Sequence, residues 1–151
     1  MLLADGADVN IQGKDGSALQ AASSRGDENT VRLLLDKGAD VNVQGGEHGS
    51  ALQAASLRGD VNIVRLLLGK GADVNMEGGR YGSALQAASF QVHDNIVRVL
   101  LEKGANVNME GGFYGSALQA ASSCGHDNIA PLLPDEVYIR HGGRAAHYRR
   151  R

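Results

Sequence analysis

The chain has 151 residues, 21 of them glycine, with only 4% aromatics, no tryptophan and a net charge of −2. This excludes a core filled by large aromatic side chains and a broadly basic, nucleic-acid-binding surface. No apolar run approaches the ~20 residues of a membrane-spanning helix, the first residues lack a basic start and an apolar stretch of secretory type, and the single cysteine, Cys124, supports neither an internal disulfide nor a zinc knuckle. The expectation is an intracellular chain, cytoplasmic or nuclear, with no membrane, metal or cofactor.

Self-similarity at a fixed period accounts for the glycines. The string Gly-Ser-Ala-Leu-Gln-Ala-Ala-Ser begins at Gly16, Gly49, Gly82 and Gly115, 33 residues apart each time, while Gly-Ala-Asp/Asn-Val-Asn begins at Gly6, Gly38, Gly71 and Gly104, at intervals of 32, 33 and 33. In chain order, residues 1–15 read as a partial unit, the end of a helix and its finger. Residues 16–48, 49–81 and 82–114 read as three full units, 115–134 as a degenerate partial unit and 135–151 as a basic, disordered tail. Met1 to Gly6 aligns with Leu33 to Gly38, which suggests a piece of a longer array with possible end-to-end self-association through uncapped units.

Each full unit predicts two short helices. Helix A opens at Ser17, Ser50, Ser83 and Ser116, each followed three residues later by Gln20, Gln53, Gln86 or Gln119, the spacing at which a serine hydroxyl and a glutamine side chain cap each other's backbone N–H. Gly26, Gly59 and Gly125 end it. Helix B is predicted over Val31 to Lys37, Ile63 to Lys70 and Ile96 to Lys103, with runs such as Leu33-Leu34-Leu35 that require burial on several sides. An Asn-rich and Gly-Gly stretch then reads as a hairpin finger. Val92 replaces the turn glycine and predicts a locally altered turn, Gly69 replaces Asp36 and Glu102 and weakens its helix, and Pro131 and Pro134 interrupt the fourth helix B.

These units resemble ankyrin repeats. The match rests on Ser-Ala-Leu-Gln at the start of helix A, where that family usually has Thr-Pro-Leu-His, and on Asn95-Ile96-Val97-Arg98-Val99-Leu100-Leu101-Glu102-Lys103-Gly104-Ala105 through helix B. The resemblance implies an all-α solenoid of helix-turn-helix units with β-hairpin fingers. It also implies a non-catalytic module that binds a protein partner on its concave face, through finger tips and helix A ends. The variant with Gly-Gly-x-Tyr before the helix is similar to long fungal ankyrin arrays attached to NACHT-type nucleotide-binding proteins, so a sensor or regulatory segment of such a protein is one alternative.

Carried onto this sequence position by position, the tips are Lys14-Asp15, Glu47-His48, Arg80-Tyr81 and Phe113-Tyr114, and the helix A ends are Ser24-Arg25, Leu57-Arg58, Phe90-Gln91 and Ser123-Cys124. Arg25, Glu47, His48, Leu57, Arg58, Arg80, Tyr81, Phe90, Gln91, Phe113 and Tyr114 are the candidate partner-binding residues, and Leu57 and Phe90 are expected side by side and exposed. Packing of His48, Tyr81 and Tyr114 across neighbouring fingers is the competing reading. Cys124 with His126 has no orienting third group, and Asp8, Asp40 and Asp73 recur at one equivalent position as structural residues do. Lys70 lacks the GxxxxGK[ST] frame of a phosphate loop. Residues 131–151 carry +3 against −5 for residues 1–130. The Arg-rich end therefore supports a second alternative, a nucleic-acid-associated coregulator.

Overall fold

Each predicted helix A begins where its serine caps it. Ser17, Ser50 and Ser83 have extended backbones, and each hydroxyl oxygen accepts from the backbone N–H of Gln20, Gln53 or Gln86. In a computed structural model, which describes residues 8–14, 16–91, 93–112, 115–117, 119–120, 136–141 and 144–149, these caps open α1 (Ala18–Arg25), α3 (Ala51–Arg58) and α5 (Ala84–Phe90). Gly26 and Gly59 end α1 and α3 in the left-handed conformation, with φ of 74° and 97°. The third unit lacks that glycine, and α5 stops one residue sooner at Phe90, with Gln91 at φ −97°. Val92 itself lies outside the described residues.

Helix B starts earlier than its apolar residues suggest. It forms α2 (Glu28–Asp36), α4 (Val61–Gly69) and α6 (Asp94–Glu102), two to three residues ahead of the predicted starts and one short of the predicted ends. In α2 the cause is Asp27, whose Oδ1 accepts from the Thr30 backbone N–H at 3.2 Å and whose Oδ2 accepts from the Thr30 hydroxyl at 2.6 Å. Those bonds, the hydroxyl's foremost, hold the Asp27 carboxyl below its ordinary range. At the other end Lys37, Lys70 and Lys103 occupy the C-cap instead of the last helical turn.

The pairs α1–α2, α3–α4 and α5–α6 stack so that α1, α3 and α5 form one layer and α2, α4 and α6 the other. Equivalent residues make the core in rows: Leu19, Leu52 and Leu85; Ala22, Ala55 and Ala88; Val31, Val64 and Val97; Leu34, Leu67 and Leu100, none more than 3% exposed. The alanines let helix A approach its neighbours closely, and the branched chains fill the thin layers between units. In the Leu triplet of helix B only the middle residue is fully enclosed in every unit, and Leu66 and Leu68 are half-buried.

Fingers connect the pairs. The first is the hairpin β1 (Gln12–Gly13) with β2 (Gly16–Ser17), and the others close through single bridges, Gly45 to Gly49, Gly78 to Gly82 and Gly111 to Gly115. Two polar ladders then run along the stack. Gln20 Nε2 donates to the Gly45 and Gly49 carbonyls at 2.7 and 3.1 Å, Gln53 Nε2 to Gly78 and Gly82 at 2.7 and 3.0 Å, and Gln86 Nε2 to Gly111 and Gly115. The glutamines are 2% exposed, so each holds the next unit's finger from inside. Their capping role is complete only at Ser17 and Ser116, where the glutamine oxygen also accepts from the serine N–H; Gln53 Oε1 and Gln86 Oε1 have no hydrogen-bond partner. In the second ladder Asn10, Asn42 and Asn75 accept from the backbone N–H of Asp40, Asp73 and Asn106 at 2.7–2.8 Å. Asp8, Asp40 and Asp73 each accept from the N–H two residues on, a turn-forming bond that accounts for their recurrence.

A third row is unsatisfied. Ser23, Ser56 and Ser89 are 0% exposed, and their hydroxyls have no hydrogen-bond partner; nothing in the structure explains why serine stands there. A buried hydroxyl without a partner costs ~1–3 kcal/mol, and alanine is the better helix former. The triple substitution Ser23→Ala, Ser56→Ala and Ser89→Ala is therefore expected to stabilise the chain by about 3 kcal/mol, a rise on the order of 6–12 °C in melting temperature. A fall in a calorimetric scan would show that the hydroxyls are bonded.

Beyond the array, the stretch expected to be a disordered tail instead contains β3 (Glu136–His141) and β4 (Arg144–Arg149), paired antiparallel with Val137 opposite Tyr148 and Ile139 opposite Ala146. Counting arginines obscured the strand formers Val137, Tyr138, Ile139 and Tyr148 on either side of Gly142-Gly143. Pro131 and Pro134 lie outside the described residues. Among the described residues no helix is long and apolar enough to cross a membrane.

Candidate interaction surface

The described candidate residues fall on the side that carries the fingers and the ends of α1, α3 and α5, and apart from Arg25 the structure joins them in two groups. The first runs from finger to finger to helix. The Arg80 backbone N–H donates to the Glu47 carbonyl at 2.9 Å, and the two side chains form an exposed ion pair at 3.6 Å. The Arg80 guanidinium lies 5.9 Å from the Tyr81 ring centroid, and the Tyr81 ring lies 5.2 Å from that of Phe90, tilted by 36°. A finger tip is thus braced on the end of α5 by an aromatic pair, with a cation over it.

The second group lines a hollow of about 390 Å³ formed by Ser24, His48, Leu57, Arg58, Gln91 and His93. Three successive units contribute to it. His93 starts α6 without capping it, and its Nε2 lies 3.0 Å from the Leu57 carbonyl of the preceding unit. The ring fits because position 59 is glycine: a Cβ there would come within 2.6 Å of it. Arg58 binds Asp60 through Nε at 2.9 Å and reaches back to the Ser24 carbonyl through Nη1 at 3.4 Å. His48 Nδ1 is buried with no hydrogen-bond partner.

Leu57 and Phe90 differ from the expectation of an exposed patch, since both are half-buried. Phe90 is covered by Tyr81, and Leu57 forms a wall of the hollow. Among the described residues the exposed large apolar side chain is instead Ile11, 64% exposed, in the first finger. Arg25 and Gln91 are exposed. Phe113, Tyr114, Cys124 and His126 lie outside the described residues. Ser24, one of the helix A ends, and His93 complete the hollow. The signal available for His93 was its position in the period, where units one and two carry Asp27 and Asp60.

The arrangement suits recognition by contact. It offers a partly apolar floor, rigid aromatic edges and a mainly basic rim of Arg25, Arg58 and Arg80 with Glu47. Among the described residues no three His, Cys, Asp or Glu side chains gather as a metal site requires.

Comparison with known families agrees with the geometry. A model of three tandem ankyrin repeats matches residues 1–78, and a single ankyrin-repeat model matches residues 82–111. A search of curated proteins finds no match. With stacked helix pairs, glycine-rich fingers and more than half its length matched, the chain belongs to the ankyrin-repeat family.

Proposed function

We propose that the chain is a non-catalytic protein-interaction module that docks a partner across the finger tips and helix A ends, with Leu57, Phe90 and Tyr81 as its apolar anchor and Arg25, Glu47, Arg58, Arg80 and Gln91 as its rim. Proteins of this family generally act as protein-interaction modules. The observation that carries the reading here is the Tyr81–Phe90 ring pair at 5.2 Å beside the Leu57 hollow. It holds two half-buried aromatic side chains in fixed positions, so a partner that covers them orders little that was mobile. Side chains of that type, central and rimmed by polar groups, supply most of the energy in protein interfaces.

A partner recovered with the intact chain and then purified should bind the Leu57→Ser/Phe90→Ser double variant at least ~30-fold more weakly, about 2 kcal/mol. Circular dichroism should show the variant folded. Unchanged affinity in a folded double variant would place the binding surface elsewhere.

A further inference from the structure

The opposite side of the stack, formed by helix B, carries a regular charge pattern with one gap. Arg32, Arg65 and Arg98 are equivalent residues of α2, α4 and α6. In the first unit an acid stands one turn before and one turn after the arginine, Glu28 and Asp36, and in the third unit Asp94 and Glu102 do the same. In the central unit both acids are gone, replaced by Val61 and Gly69. One turn is the distance at which helix surface charges pair, and Glu28 does hold Arg32 at 2.7 Å. Arg65 has no such acid on its helix. Among the described residues the side chains of Arg65 and Lys70 make no hydrogen bond or ion pair.

At Gly69 the replacement also removes a side chain. A hollow of about 470 Å³ opens between α2 and α4, lined by Arg32, Arg65 and Lys70, with Glu28, Leu66 and Gly69 among its other walls. A Cβ on Gly69 would meet nothing within 4 Å, so the space is open above the helix end. With Glu28 committed to Arg32, two positive charges remain. A carboxylate would neutralise one of them, whereas a phosphomonoester, at −1.5 to −2 near neutral pH, neutralises both and offers oxygens to each. The negative end of the α4 dipole opposes an anion here. That opposition is blunted because the Leu66, Leu67 and Leu68 carbonyls already accept from the amides of residues 70–72. The acids of the flanking units argue against an extended anionic membrane and for a discrete ligand.

We propose that this notch binds a phosphomonoester on a partner's side chain, a phosphoserine or phosphothreonine. It is separate from the finger surface and stands or falls independently of it. The test titrates a short glycine-flanked phosphoserine peptide into the isotopically labelled full chain at fixed ionic strength, following the Gly69 and Lys70 amides by NMR. The unphosphorylated peptide and vesicles containing phosphatidic acid serve as comparisons. The phosphopeptide is expected to shift both amides saturably and the serine peptide to leave them unmoved. Arg65→Gln, and Gly69→Asp, which restores the flanking pattern, should each raise the half-saturating concentration about tenfold, with Arg98→Gln unchanged. The absence of a saturable shift, equal shifts with the serine peptide, undiminished binding in Arg65→Gln or Gly69→Asp, or binding to vesicles without binding to the phosphopeptide would overturn the proposal.

Discussion

Replacing Gln53 by alanine is expected to cost about 2–4 kcal/mol, a large share of the ~5–15 kcal/mol that holds a typical domain together. The side chain is 2% exposed and donates from one nitrogen to two carbonyls of the following finger, Gly78 and Gly82. Each such bond contributes ~1 kcal/mol net, and the part-buried Gly78 bond and the buried Gly82 bond are both lost. Gly82 keeps a second donor in the Gly78 N–H, whereas Gly78 loses a partner. The removed amide also leaves space that the surrounding backbone fills only in part. Because Gln53 joins the central unit to the third, the melt should broaden as well as shift, by on the order of 10 °C, since stacked units are coupled through their neighbours. Gln44→Ala is the control. Its side chain also reaches the next unit, at the Glu77 carbonyl, but it is exposed, and its loss should change stability by less than ~1 kcal/mol.

Gly79→Ala is expected to be worse than a left-handed backbone alone explains. Gly79 has φ of +66°, which costs an alanine roughly 1–2 kcal/mol. A Cβ there would also lie 2.4 Å from the His48 carbonyl carbon and 2.7 Å from the Gly49 nitrogen. Those atoms are backbone and cannot turn aside, so neighbouring fingers must separate and the total should reach about 3–5 kcal/mol. Gly71→Ala isolates the conformational part, because Gly71 has φ of +91° and open space around its Cβ direction. Denaturant melts of both variants should therefore differ by at least ~1.5 kcal/mol, with Gly79→Ala the less stable. Equal losses would mean that the fingers do not pack backbone to backbone.

What the sequence made legible was local. The Ser-x-x-Gln caps, the turn glycines and the recurring Asp each act within a few residues, and their spacing expresses that directly. The second role of Gln20, Gln53 and Gln86 was hidden because their partners lie 25 and 29 residues away, on either side of the boundary with the next unit. Asp27 was missed as a cap because the prediction began helix B at its first apolar residue, whereas the helix begins at its first satisfied N–H. On the finger side, the variable positions were visible as differences between units. Their exposure was not, since whether Phe90 is bare or covered depends on Tyr81 crossing from the finger. On the helix B side Gly69 read as a weak point in one helix. Only stacking beside α2 turns the loss of two acids into a basic notch.

The central claim is that fingers and helix A ends form one rigid surface because buried side chains lock each finger to the unit before it. Native-state amide hydrogen exchange tests this most directly. The Gly78 N–H, which bonds to the Gly82 carbonyl, and the Arg80 N–H, which bonds to the Glu47 carbonyl of the previous finger, should exchange in the intact chain only through openings that also expose core amides such as Val64. In Gln53→Ala they should exchange far faster while Val64 stays protected. Fast, unprotected exchange at Gly78 and Arg80 in the intact chain would contradict the account, since the fingers would then be loose ornaments on the helices.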